Sequence, residues 1–343
     1  MKIILGAVVC LALTYMCVTA TRAAVGADKE TNHGLLLVAN KGDRTLSIID
    51  AASGLQLAAV PVGGITGHEV AASPDGQAAW VPIYGDSGVG QPGTDGRTLS
   101  IIDLKARTKM GQIDLGSPSR PHHAVFGSKD GRLYVTSELT HSIQVIDPAK
   151  RKVISSIPTG APESHMLALS GNGERGYTSN VGAGSVSVID LRAGRLVAVI
   201  PVAKTVQRIA VSGDDRWVFT ADQSSPRIAV IDTQTNVVRR WIALPGLGFG
   251  MAATRDGRRL LVTHPDSNTV SVIDLHSMEV TRTIRVPASP QEILIRPDNR
   301  VAYVSCDESK QVAAIDLSTQ SVKELIGAGN GADGLAWVTI RVP

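Results

Sequence analysis

Eight histidines occur in the 343-residue chain, and three of them, His68, His123 and His165, stand among charged neighbours. Glu69 adjoins His68, His122 adjoins His123, and Glu163 precedes His165 by two residues; Arg120 and Arg208 lie beside the set. Imidazoles converging from separate segments could bind copper, zinc or iron, or move protons near neutral pH. Glu69 or Glu163 would then serve as general base, and the two guanidinium groups would receive an anion. Whether these residues meet depends on the elements that carry them.

Those elements repeat. A hydrophobic-Ile-Asp triplet ends at Asp50, Asp103, Asp147, Asp190, Asp232, Asp274 and Asp316, at intervals of 53, 44, 43, 42, 42 and 42 residues. Each unit reads as four short strands, as in His165–Ser170, Gly176–Asn180, Ser185–Asp190 and Leu196–Val202, separated by Gly, Asn, Asp and Ser turns. Four strands at this period predict an all-β, seven-bladed propeller. The first unit starts at its second strand, Leu35–Asn40, and the missing innermost strand matches Asp333–Trp337 at the other end. The C-terminus should therefore complete the N-terminal blade and close the ring. The repeated Asp residues precede turns, which predicts turn capping rather than calcium ligation.

Strand two reads Leu37-Val38-Ala39-Asn40 or Tyr303-Val304-Ser305-Cys306, and strand three reads Thr-Val-Ser-Val-Ile-Asp at Thr269–Asp274. In these motifs the chain resembles the YVTN-type seven-bladed β-propeller repeat family, from Leu35 to the end. The resemblance implies fold and little about activity. Members and relatives of that family include surface-layer repeats, periplasmic binding proteins, lactonase-like propellers, and the propellers of nitrous oxide reductase and haem d1 enzymes.

In a propeller the first strand of each blade lines the channel. The column at its start is expected to be His68, His123, His165, Gln207, Phe249, Gln291 and Asp333. Three successive blades would put histidine at one channel mouth. A structural use, a strand-start histidine bonded to backbone, weighs more here than a metal site, and the family's common Pro-His-Gly is partly matched by Pro121-His122-His123. The ends of strand two form a second column, Asn40, Ile83, Ser137, Asn180, Asp222, His264 and Cys306. His264 and Cys306 suggest a thiolate–imidazole pair, but equivalent residues of neighbouring blades are too far apart for one, and a lone cysteine is more often packing. About ten extra residues interrupt the repeat within a loop over residues 84–97, on the histidine face. Its Gly88-x-Gly90-x-x-Gly93 lacks the following helix a dinucleotide site needs, and its Gly85-Asp86-Ser87-Gly88 lacks a protease framework.

Composition bounds the rest. The chain is 43% hydrophobic, enough for a large packed domain, and its formal charge of +3 drops to about +1 without Lys2 and Arg22, so no nucleic-acid partner is expected. Lys2, the apolar run Ile3–Thr19 and the small residues after it predict a signal peptide within 1–27, cleaved after Ala20, Ala23 or Ala27. Residues 28–343 would form one exported domain, periplasmic or extracellular, without a membrane anchor. Removal of Cys10 and Cys17 would leave Cys306 alone, so no internal disulfide forms. The expected role is binding of a small molecule or partner protein at the face of His68, Glu69, Arg120, His122, His123, Glu163, His165 and Arg208. The alternatives are a metal-dependent (copper, zinc or iron) enzyme or redox protein with His68, His123 and His165 as ligands, or a lactonase-like hydrolase.

Overall fold

A computed structural model describes residues 34–340; the expected signal segment and its cysteines lie outside the described residues. Seven sheets of four antiparallel strands each follow one another around a ring. The fourth blade comprises Ser164–Leu169, Arg175–Asn180, Ser185–Asp190 and Arg195–Pro201, within one residue of the bounds read from sequence turns. Its middle strands are rich in Ser, Thr, Tyr, Val and Ile and are buried on both faces, since each blade packs between two others. The outer strand alternates between exposed and partly buried residues, and charged side chains such as Lys152, Arg239 and Lys323 line these outer edges, which discourages edge pairing.

Ring closure follows the expected route. Ala332–Thr339 pairs antiparallel with Gly34–Asn40, bringing Leu35 opposite Val338 and Leu37 opposite Ala336. The interface between the first two blades is apolar: Leu37, Leu46 and Ile48 pack against Val70, Val81 and Ile102. The repeated Asp residues cap turns as expected. Asp190 accepts the Ala193 N–H at 2.9 Å, and Asp232 accepts those of Gln234 and Thr235 at 2.9 Å each.

The second blade departs from its neighbours. Its innermost strand is reduced to Ala71–Ala72, preceded by a single bridge between Gly67 and Ile83. Its second strand, Ala78–Gly85, runs into the inserted loop. Gly85 turns the chain there with φ 144, where a Cβ would lie 2.5 Å from the Thr94 carbonyl oxygen, so a side chain is excluded. Among the described residues the one helical element is a 3-10 turn, Pro265–Ser267, and no helix is long and apolar enough to cross a membrane.

Candidate functional site

A shared register sets which side chains reach the channel. The end of strand two pairs with a residue sixteen positions earlier: Asn180 with Ser164, Ser137 with Pro121, Asp222 with Val206, Cys306 with Pro290 and Ile83 with Gly67. Pairing then slips, between Pro121 and Ala124 and again between Val206 and Ile209. Such a bulge lets two consecutive residues turn to the same side. Two rings result. The outer ring is His68, His122, His165, Gln207, Phe249, Gln291 and Asp333; the inner one is Glu69, His123, Met166, Arg208, Gly250, Glu292 and Gly334. The expected mouth column is thereby corrected at one position: His122 belongs to it, and His123 lies one layer deeper.

In the outer ring His122 stacks on His165, with ring centroids 3.6 Å apart and planes inclined by 29°. His68 meets His122 at 5.5 Å, and Tyr84 stands edge-on to His122 at 5.1 Å. His165 Nε2 lies 3.3 Å from Gln207 Nε2, and its Nδ1 lies 3.8 Å from Glu138, an ion-pair distance longer than a hydrogen bond. The Nδ1 atoms of both His122 and His165 are buried without a hydrogen-bond partner. Burial lowers the pKa of His68, His122 and His165, so these rings favour the neutral form. Stacked rings direct their in-plane lone pairs side by side, so His122 and His165 do not converge on one ion.

The inner ring is ionic. Arg208, fully enclosed, donates to Glu69 at 2.8 Å, Glu292 at 3.0 Å and Asp333 at 3.2 Å, joining four blades across the channel. Its guanidinium also lies over the Phe249 ring, 4.9 Å from the centroid. Lys41 is divided between Asp333 and Asp307, at 3.2 and 2.9 Å. Arg208 and Lys41 hold the Asp333 carboxyl below its usual range against the opposing effect of burial. One guanidinium facing three carboxylates leaves negative charge uncompensated. Burial, with the neighbouring charge of Glu69, pushes the Glu292 carboxyl well above the usual range, so the excess is relieved by a proton there.

His123 completes this layer. It, Glu69 and Glu292 each bring one ligand-type atom within 4.8 Å of the others. Yet His123 Nδ1 already accepts the Leu167 N–H at 3.1 Å, which fixes the hydrogen of the neutral ring on Nε2. Burial, then Arg208, lowers its pKa to about 3. The ring is therefore a neutral hydrogen-bond donor with its lone pair in use. This changes the expected ligand set. His68, His123 and His165 do not share one centre, and His123 is arranged to donate.

The arginines also differ from expectation. Arg120 and Arg208 were expected to be available to an anion, but both are buried in ion pairs. Arg120 bonds Asp95 at 2.5 Å, Glu138 at 3.3 Å and the carbonyls of Gly88 and Gln91 at 3.4 and 2.6 Å, clamping the inserted loop. Glu138 accepts from the Tyr84 hydroxyl and, at 3.1 Å, from the Gly90 N–H. Burial opposes ionisation of Glu138, but facing His165, Tyr84 and Gly90 outweigh it and hold its pKa low. Glu163 lies against Gly90 and Gly182, and its pKa is raised by burial and by Glu138. It contacts the loop rather than the stacked histidines.

Tyr84, Glu138 and Glu292 were missed as site residues. Tyr84 and Glu138 directly follow the strand-two column, as do Lys41 and Asp307, and that recurring position is a signal the sequence carries. Glu292 follows Gln291 in the ring doubled by the bulge. The His264–Cys306 pairing does not form: His264 bonds Leu247 O at 2.9 Å and Ser271 Oγ at 2.7 Å, while Cys306 lies 3.6 Å from Val304 O. Burial pushes the Cys306 thiol up to about 12.

The large cavity opens on the face opposite the outer histidine ring. It has a volume of about 1420 Å³, contains His123 at its inner end, and is lined by Val70, Leu167, Leu294, Leu335 and Trp337. It extends outward past Leu57 and Leu104, between the first two blades. His123 lines the inner end of this cavity, and Glu69 and Glu292 each bring a carboxylate oxygen within 4.8 Å of that ring's nitrogen.

Comparison with known proteins agrees with this architecture. No curated protein matches the chain. Among solved structures, a chain of Kuenenia stuttgartiensis hydrazine synthase superposes with a TM-score of 0.70 at 16% identity, covering 84% of this chain and 95% of that one. Dihydro-heme d1 dehydrogenase NirN in complex with DHE gives a TM-score of 0.65 at 16% identity, over 90% of this chain and 75% of that one. At such identities the likeness is one of fold. Residues 64–239, just over half of the sequence, match the family described as Lactonase, 7-bladed beta-propeller, and the protein belongs to that family.

Proposed function

We propose that this protein is an exported propeller of YVTN type that binds a small cyclic ester in its channel and hydrolyses it at the inner ring. The observation that carries this reading is the pair Glu69 and Glu292, beside the Nε2–H of His123 and the Arg208 guanidinium. Two carboxyl groups sharing one proton can act as base and acid in the same turnover. Water adds to the lactone carbonyl carbon and gives a proton to the ionised carboxylate. His123 Nε2–H donates to the oxyanion. The ring C–O bond breaks, the protonated carboxyl passes its proton to the departing alkoxide, and a hydroxy acid results. Proton return within the pair restores the site. Export is supported by the sequence of residues 1–27, and the YVTN type by the strand motifs.

The test is a pH-stat assay with lactones of five- and six-membered rings, including dihydrocoumarin. Glu292→Gln should lower turnover by about 100-fold or more while leaving the far-UV spectrum unchanged. A wild-type rate no greater than that of Glu292→Gln on every ring size would overturn the reading.

A second reading places binding alone at the opposite face, and the partnerless Nδ1 atoms of His122 and His165 favour it. A small hydrogen-bond donor passing His68 would satisfy them. Imidazolium as the donor should then perturb the C–H resonances of His122 and His165 saturably; unchanged spectra would remove this reading.

A further inference from the structure

The walls and rim of the large cavity differ in character, and the difference specifies a class of ligand. The wall is apolar, formed by Val70, Leu167, Leu294, Leu335 and Trp337, and continues as a groove past Leu57. At about 1420 Å³ it exceeds the usual small-molecule pocket of roughly 300–1,000 Å³, so it admits an extended acyl or aryl body. The rim is cationic. Lys105 and Arg107 come from one turn of the second blade and Arg255 from a hairpin of the sixth, against Asp75 alone on the acidic side.

Among the described residues none of the three cations is in a salt bridge. The Arg107 guanidinium reaches the Leu57 carbonyl at a long 3.4 Å, whereas Asp75 is occupied by the Ser73 hydroxyl and the Gln77 N–H at 2.5 and 3.0 Å. Elsewhere in the molecule, cations near the channel are paired: Arg120, Arg208 and Lys41 each bond two or more groups. An apolar passage ending in unpaired positive charge is complementary to a molecule with the opposite distribution.

We infer that the cavity receives an amphipathic anion, its apolar body along the channel wall and its acidic group at the rim beside Lys105 and Arg107. This deepens the proposed function by naming the substrate class: a lactone carrying an apolar chain or ring and a carboxylate, sulfonate or phosphate at its far end. It depends on that reading only for the path of the ligand, since binding of an amphipathic anion does not require turnover.

Decanoate and decanol, titrated by calorimetry and by quenching of Trp337 fluorescence (with Trp337→Phe as the reference), test the inference on the 28–343 protein. Decanoate should bind saturably and more tightly than decanol. Lys105→Gln combined with Arg107→Gln should weaken decanoate about fivefold at low salt, with the difference shrinking at 0.5 M salt, and should leave decanol unchanged. Leu294→Glu, which sets a carboxylate in the wall, should abolish binding of both. Absent saturable binding, equal affinity for the two probes, or an undiminished decanoate affinity in either variant would overturn it. Lactone turnover and decanoate binding, both measured on the wild type, separate the two readings. If decanoate binds saturably but no lactone is cleaved, the hydrolytic function fails and this inference stands. If lactones are cleaved but decanoate does not bind, the reverse holds.

Discussion

His123 accepts the backbone N–H of Leu167, on the adjacent blade, through Nδ1 at 3.1 Å. One hydrogen bond thus joins two blades and assigns the tautomer of the ring that faces Glu69 and Glu292. The ring orients a donor and at the same time accepts from a backbone N–H of the neighbouring blade. Structural and chemical roles reside in the same atom pair.

Replacement of His123 by Phe removes both. The Leu167 N–H loses its acceptor, which should cost about 1–3 kcal/mol of stability. Lactone hydrolysis should fall with it. His123→Asn, which can present an acceptor to Leu167, should recover most of the stability and little of the activity. Urea titrations alongside pH-stat rates check both parts.

Acid should destabilise the folded ring from about pH 6.5 downward. His122, His123 and His165 have folded pKa values below the unfolded value of about 6.5, so the unfolded chain binds more protons as pH falls, and stability falls with it. Glu138, whose folded pKa is also depressed, adds its loss at lower pH, below its unfolded value of about 4.3. Urea midpoints measured between pH 7.5 and 4.5 should decline, and His122→Phe should decline less steeply. Glu292, with its raised carboxyl, takes up its proton in the folded state and opposes this trend, so a flat profile in Glu292→Gln, where that uptake is absent, would contradict the burial of these neutral rings.

Arg120→Leu should free the inserted loop without opening the ring. Removal of the guanidinium leaves the buried Glu138 carboxylate without that partner, a loss of about 3–5 kcal/mol by analogy with other buried pairs. It also releases the carbonyls of Gly88 and Gln91. Limited proteolysis should then cut within residues 84–97 at least tenfold faster than in the wild type, with an unchanged far-UV spectrum. Equal cleavage rates would show that the clamp lies elsewhere.

Cys306 should be silent until the protein unfolds. Its thiol is buried and pushed up to about 12, so almost no thiolate is available at neutral pH. Reaction with a disulfide reagent should proceed at the global unfolding rate, and rapid labelling in native buffer would refute this burial.

The closing strand should be indispensable. Truncation before Ala332 removes the partner of Gly34–Asn40 and bares a strand edge whose residues are buried in the intact ring. The shortened protein should lose cooperative unfolding or aggregate, as judged by calorimetry and light scattering. A cooperative monomer of normal melting temperature would show that closure is dispensable.

The sequence by itself determined the architecture. The Asp50-to-Asp316 repeat, the turn residues between strands and the split first blade are local or periodic signals, and a four-stranded unit of that period has few ways to bury its apolar residues. The roles of Asp190 and its equivalents were equally legible, because a turn cap acts within three residues. Tertiary structure decided the site. The bulge after Pro121 turns both His122 and His123 inward, and a two-residue alternation cannot express that, although the sixteen-residue spacing to Ser137 would have assigned His122 to the outer ring. Which charges are free could not be read from the chain at all. Arg208 finds Glu69, Glu292 and Asp333 from three other blades, Arg120 takes hold of the inserted loop, and the open end of the channel lies opposite the face where the histidines gather. Pairing across a ring depends on distances between segments remote in sequence, and those distances exist only once the ring has closed.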